Sequence, residues 1–233
     1  MTNPKLRQLA IFSFVLLSTI ISPTKALMAQ PIEPQQKVEA KNQDPECFSR
    51  VKLNDLIFKM ASRYVPVITK TMDGKIIEGS AVIVNSTTVV TSQHLIQPFG
   101  ETSLANNPIP DVVVEMPRHD LVFIIFPRPT FNFPPLEPAT VEQGERVYEI
   151  SNAYALNGIY EEYVVAKVTP TLIFTKPAID HGASGAAVFN GKGQIIGISA
   201  GIRSDSGEEG LGFIVPVSFF EKILNPNLLQ STK

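Results

Sequence analysis

The chain has 233 residues, 44% of them hydrophobic and 18% charged, and carries a formal charge of −2 at pH 7. That balance excludes a disordered polyelectrolyte and gives no support to a nucleic-acid-binding surface, which needs a basic patch. Cys47 is the only cysteine, so no intrachain disulfide forms and the fold rests on its apolar core.

At the N-terminus, Lys5 and Arg7 precede a run without charge from Leu9 to Ser22, followed by Pro23, Lys25 and small residues. This is the layout of a secretory signal peptide over residues 1–29, cut after Ala29 or, alternatively, after Ala26. The run falls short of the ~20 residues of a membrane span, and an uncleaved anchor is the other reading. A cleaved signal makes the protein secreted or periplasmic, with no integral membrane domain beyond that segment. Cleavage removes Lys5, Arg7 and Lys25 but no acid, which takes the charge from −2 to −5 and further from any nucleic-acid partner. Cys47 follows no lipoprotein-type pattern and reads as an exposed loop thiol.

Residues 30–50 are polar and Pro-bearing and read as a linker. From 51 to 233 the pattern is that of one domain. LNDLIFKMASRYV, residues 53–65, has apolar residues at helical spacing, with Asn54 as the expected cap. From about Tyr64 the signal changes to many short strands, from VPVITKT to LGFIVPV, separated by turns such as MDGK and NGK. That density predicts an all-β fold, barrel or sandwich. PRPTFNFPPLEPAT, residues 127–140, cannot donate to a ladder at its prolines, so it is a connector between a first β unit, about 64–126, and a second, about 141–217. Its phenylalanines predict that it packs down on the protein. SFFEKIL, 218–224, closes the chain as a short helix.

The histidines are His94, His119 and His181, and all precede Ser184, which sits in HGASGAAVFN. The order Ser, acid, His of the α/β-hydrolases is therefore excluded, whereas the order His, Asp, Ser is open. His94 follows a strand in VVTSQHLI and is placed to act as general base and then general acid. Asp120 heads the apolar strand of RHDLVFIIF, where a partly buried carboxylate needs a donor such as an imidazole N–H. Ser184 supplies the nucleophile, and the N–H groups of Gly182 and Ser184 supply an oxyanion hole. A surface histidine, a turn aspartate and a tight glycine loop are the ordinary readings of each motif alone. Their order, and their division across the connector, favour the joint one. His119 is expected to point away from Asp120, and His181 to sit on the rim. Lys176 or Lys192 in a Ser–Lys pair is a weaker alternative. No HExxH or CxxC motif occurs, so neither metal nor cofactor is expected. Residues 205–209, DSGEE, read as a solvated hairpin turn before a calcium loop.

At these segments the chain resembles the trypsin-like (chymotrypsin-fold) serine proteases, most closely the HtrA/Deg branch. EGSAVIVNSTTVVTSQHLI, HDLVFIIF, GERVYEIS, HGASGAAVFNGKGQIIGIS and GLGFIVPVSFFEKIL carry the resemblance, over roughly residues 64–224. It implies two six-stranded antiparallel β-barrels with the site between them, beside the short helix already expected at each end, and the family's PDZ domain is expected to be absent as a departure of this chain. It assigns His94, Asp120 and Ser184 to the triad and Gly182 to the oxyanion hole. Ala186 and Ala187 depart from the family's glycine and proline. The resemblance also implies a specificity pocket walled by Ser199, Ala200 and Gly201, with Ala178 and Ile179 at its base. No acid stands at that base, so a small or apolar substrate side chain is expected, with Asp180 near the rim. The resulting function is an exported serine endopeptidase that cuts polypeptide substrates through an acyl-enzyme. The alternative is a catalytically inactive, protease-like binding or scaffold protein of the cell envelope.

Overall fold

The protein's computed structural model describes residues 50–110, 113–201 and 210–224, all within the unit Val38–Lys233. The expected signal peptide, most of the linker with Cys47, and the DSGEE loop lie outside the described residues.

Helix α1 spans Arg50–Ala61 and places Leu56 and Met60 in the core. It begins before the expected start, so Asn54 is an exposed mid-helix residue and not its cap. Seven strands follow: β1 (Tyr64–Lys70), β2 (Ile76–Ile83), β3 (Thr88–Ser92), β4 (Glu101–Leu104), β5 (Asn107–Pro108), β6 (Val113–Met116) and β7 (Leu121–Ile125). They form one sheet in the order β5-β4-β1-β2-β3-β7-β6. Among the described residues the first unit is thus a seven-stranded half-barrel sheet, in keeping with the expected all-β architecture of two units. The edge β5 is two residues long and contains Pro108, with Pro110 just beyond. Proline has no N–H to offer a closing ladder. Strands β4 and β5 also escaped the sequence reading, since ETSL and NP carry little apolar signal.

The second unit is closed. Strands β8 (Arg146–Ser151), β9 (Ile159–Val168), β10 (Ile173–Lys176), β11 (Ala187–Asn190), β12 (Ile195–Gly201) and β13 (Gly212–Pro216) form a six-stranded antiparallel barrel in the order β10-β13-β12-β11-β8-β9. The short helix α2, Glu221–Leu224, ends the described chain.

The continuous apolar runs of β2, β3 and β7 are explained by burial on both faces. Ala81, Ile83, Val89 and Ile124 pack in the first sheet's own core. Their neighbours Val82, Val90, Leu121 and Phe123 point the other way, into a core shared with Ile150, Phe189 and Ile198 of the barrel. Each strand buries both faces, so alternation with polar residues is lost. The connector joins the two units without a strand of its own, making a single bridge, Pro138 to Ile195. Phe131 and Phe133 pack on the first core. Arg63, 4% exposed, donates to the carbonyls of Ile83 (3.1 Å) and Pro134 (2.9 Å) and lies over the Phe133 ring.

Candidate active site

His94 is delivered by a 3-10 turn, Gln93–Leu95, immediately after β3. Leu95 anchors the turn. Its side chain fills the space over Gly79, where any Cβ would overlap it, and its carbonyl accepts the Thr69 hydroxyl at 2.6 Å. Asp120 follows a second 3-10 turn, Pro117–His119, and adopts the left-handed backbone (φ 52°) that Asp tolerates better than most residues. That conformation turns its carboxylate toward the histidine. Asp120 Oδ2 lies 2.6 Å from His94 Nδ1, and Oδ1 accepts the His94 backbone N–H at 2.9 Å. The Asp120 carbonyl also accepts the Gln93 N–H at 3.0 Å. One carboxylate thus fixes both the ring and the main chain that carries it, and with Nδ1 so engaged the Nε2 face is left for another partner.

Ser184 sits on a loop bound tightly to the first sheet. Its carbonyl accepts the N–H of Ser80 at 2.9 Å. The Ser80 hydroxyl donates to the carbonyl of Gly182 (2.8 Å) and accepts the N–H of Asn152 (2.8 Å). Gly185 N–H donates to Ser199 O at 2.7 Å. Both glycines flanking the serine have positive φ, +93° at Gly182 and +86° at Gly185. A Cβ at Gly182 would overlap the Asn152 carbonyl, and one at Gly185 would overlap Ser80 O and Thr91 Oγ1. The loop therefore presses against the end of β3, two residues from His94. Ser184 Oγ makes no hydrogen bond to His94 in this structure. The N–H groups of Gly182 and Ser184, on either side of Ala183, donate to no described residue.

The other expected site residues distribute unevenly. Ala178 and Ala200 are half-buried, and Gly201 ends β12. Ile179 has no exposed surface and packs with Val188 and Ile214 inside the barrel, so its side chain is committed to the core. Ser199 is fully buried, and its hydroxyl donates to Glu149. The ring of His119 turns from Asp120 and stacks on Phe219, with centroids 3.9 Å apart. His181 is exposed, and its carbonyl accepts the Tyr154 N–H at 2.9 Å. Lys192 lines a cavity of about 770 Å³ with Pro138, Asn190 and Glu221, which none of His94, Asp120 and Ser184 lines. A smaller groove, about 430 Å³, runs from Pro117–Asp120 across to Leu172, Ala200 and Phe213, directly beside the candidate acid.

Sequence reasoning missed two residues of this region, Ser80 and Glu149. Each stands as a polar residue in an apolar strand, which marks it as unusual but does not name its remote partner. Glu149 is wholly buried. Burial, with the charges of Glu161 and Asp180 adding to it, pushes its carboxyl up to about 8.

Strand order, site and glycine loop together define a two-unit β protein built around a serine loop. The family model for the trypsin-like peptidase domain matches residues 79–198, just over half of the chain, and the chain belongs to that family. Over 66 residues it is 41% identical to the serine protease Do-like HtrB of Bacillus subtilis (strain 168), a stretch covering 28% of this chain and 14% of that protein. The serine endoprotease of Yersinia pestis aligns with a TM-score of 0.60 at 23% identity, over 76% of this chain and 66% of that one. The Rv3671c protease of M. tuberculosis, in its active form, aligns at 0.59 and 16% identity, over 82% and 89%. At these identities the structures speak for the fold. The match spans only a small part of the curated relative's length.

Proposed function

We propose that this chain is a serine endopeptidase in which His94, Asp120 and Ser184 form the triad. The single observation that carries the reading is the double grip of Asp120 on His94, through Nδ1 at 2.6 Å and the backbone N–H at 2.9 Å. Ser184 Oγ attacks the scissile carbonyl and passes its proton to His94 Nε2. Asp120 holds Nδ1–H and stabilises the imidazolium that results. The negative oxygen rests on the N–H groups of Gly182 and Ser184. His94 then protonates the departing amine, and water, activated by the same ring, hydrolyses the acyl-enzyme. Ala178, Ile179, Ser199, Ala200 and Gly201 border the pocket for the side chain before the cut, with the Ile179 contribution limited to its backbone.

The second reading is a protease-shaped scaffold without turnover, favoured by the lack of a hydrogen bond between Ser184 Oγ and His94. Kinetics on an unfolded polypeptide substrate separate the two. The endopeptidase reading expects hydrolysis, and a loss in kcat on the order of 10⁴ with Asp120→Asn at little change in KM. No hydrolysis by the unsubstituted chain supports the scaffold.

Export is part of the proposal and is supported by the basic, apolar and small-residue order of residues 1–29. A mature protein whose mass starts at Gln30 or Leu27 agrees with it. Retention of Met1 in the exported protein contradicts cleavage.

A further inference from the structure

Ser199, on β12, ties the serine loop to both units. Its carbonyl accepts the N–H of Gly185 at 2.7 Å, and its N–H donates to the carbonyl of Ala186 at 2.8 Å. It thus grips the two residues that follow Ser184. The same carbonyl accepts the Ser92 hydroxyl at 3.3 Å, at the end of β3 and two residues before His94. The Ser199 hydroxyl bonds to the carboxyl of Glu149. Neither Ser199 nor Glu149 has any exposed surface. Two hydrogen bonds therefore lead from a buried carboxyl on β8 to the amide beside Ser184.

The surroundings of Glu149 suit the neutral acid and not the carboxylate. Its Oε1 has no hydrogen-bond partner among the described residues. In the β8–β9 ladder it stands directly opposite Glu161, and like charges at such a pair repel. The titratable groups that face it are Glu161 and Tyr163 of β9 and Asp180 of the segment before the serine loop. None of them is cationic, and no described Lys, Arg or His forms an ion pair with any of these carboxylates. Burial opposes ionisation most, the charges of Glu161 and Asp180 add to it, and the carboxyl loses its proton only at about pH 8. Above that pH an unpaired charge in the barrel interior must find a donor or water, and the contact with Ser199 is the one that rearranges.

We propose that Glu149 is a positioning residue for the nucleophile: while protonated it holds Ser199, and through it the peptide groups of Gly185 and Ala186, in the arrangement that presents Ser184, and on ionisation it releases them. The proposal rests on the serine-endopeptidase reading and adds to it a reversible shut-off at alkaline pH. The neutral acid is the working form, so this support of the loop is present below about pH 8 and lost above it.

Two measurements on the full chain test this. In the first, kcat on an unfolded polypeptide is followed from pH 7 to 10. It should fall about tenfold per pH unit above 8 and recover on return to pH 7. Glu149→Gln keeps an acceptor for Ser199 and cannot ionise, so its kcat, whatever its value, should hold across that range. Asp180→Asn, at a half-buried position, removes a charge that opposes ionisation, so the fall should begin at lower pH. In the second, hydrogen–deuterium exchange of residues 182–188, with labelling times scaled to the intrinsic rates, needs no turnover. Protection should drop between pH 7 and 9 in the unsubstituted chain and not in Glu149→Gln. A kcat that does not fall above pH 8, or falls alike in all three proteins, overturns the positioning role and leaves the endopeptidase standing. A chain that cuts nothing but loses protection in a Glu149-dependent way does the reverse. Should Glu149→Gln not fold, Asp180→Asn decides: a fall at lower pH supports the proposal, and a fall at the same or higher pH overturns it.

Discussion

Ser80 lies in an apolar stretch of β2 with no exposed surface, yet three backbone groups from two other segments meet on it. It bonds to Ser184 O, to Gly182 O and to Asn152 N–H, all within 2.9 Å. Ser80→Ala leaves Gly182 O and Asn152 N–H buried without that partner. It should lower stability by roughly 1–3 kcal/mol in urea unfolding and lower kcat more than it raises KM, since the oxyanion donors lose their bracing. An unchanged kcat would mean that the Ser184 loop holds its shape by the glycines alone. The contact between His94 and Asp120 was legible in the sequence because each stands at the end of an apolar run, where a polar residue is conspicuous. Ser80 and Glu149 were not. Each sits inside a run, and the partner that explains it is remote: Gly182 is 102 positions from Ser80, and Ser199 is 50 from Glu149.

The connector 127–140 shows what decides the form of an element when ladder bonds are unavailable. Its prolines preclude a strand, and side chains hold it down instead. Arg63, at the junction of α1 and β1, ties the carbonyl of Pro134 to that of Ile83 and covers Phe133. Burial lowers the pKa of its guanidinium, so those contacts offset a desolvation penalty. Arg63→Ala should lower stability by about 2–4 kcal/mol, measured by denaturant unfolding. Arg63→Lys should restore only a small part, because one ammonium cannot reach both carbonyls as the planar fork does. Full rescue by Lys would show that charge and not geometry matters there. At this scale the strands with strong apolar runs were legible, whereas β4, β5 and the open edge of the first sheet were not. Short polar strands gain their place only from the neighbour they pair with, as Leu104 and Thr102 do by facing the core opposite β1.

For the molecule as a whole, the buried carboxylate of Glu149 couples folding to pH. Its folded pKa, about 8, lies above the ordinary 4.5, so the native state keeps a proton that the unfolded chain has already lost between those values. Stability from this group is therefore fully present below about pH 4.5, falls as pH rises toward 8, and levels off above it. Glu161, raised in the same direction by burial, adds to the trend. Unfolding free energies from pH 5 to 9 should decline in the unsubstituted chain and decline much less in Glu149→Gln. Parallel curves for the two would place the proton elsewhere.

The account stands on an activated serine on the loop between Gly182 and Gly185. Reaction of the folded full chain with a fluorophosphonate, read by intact mass and by the labelled peptide, tests it most directly. The expected result is one adduct per chain on Ser184, abolished by Ser184→Ala and strongly slowed by His94→Ala. A folded chain that takes no adduct, or takes one at the same rate without His94, contradicts it.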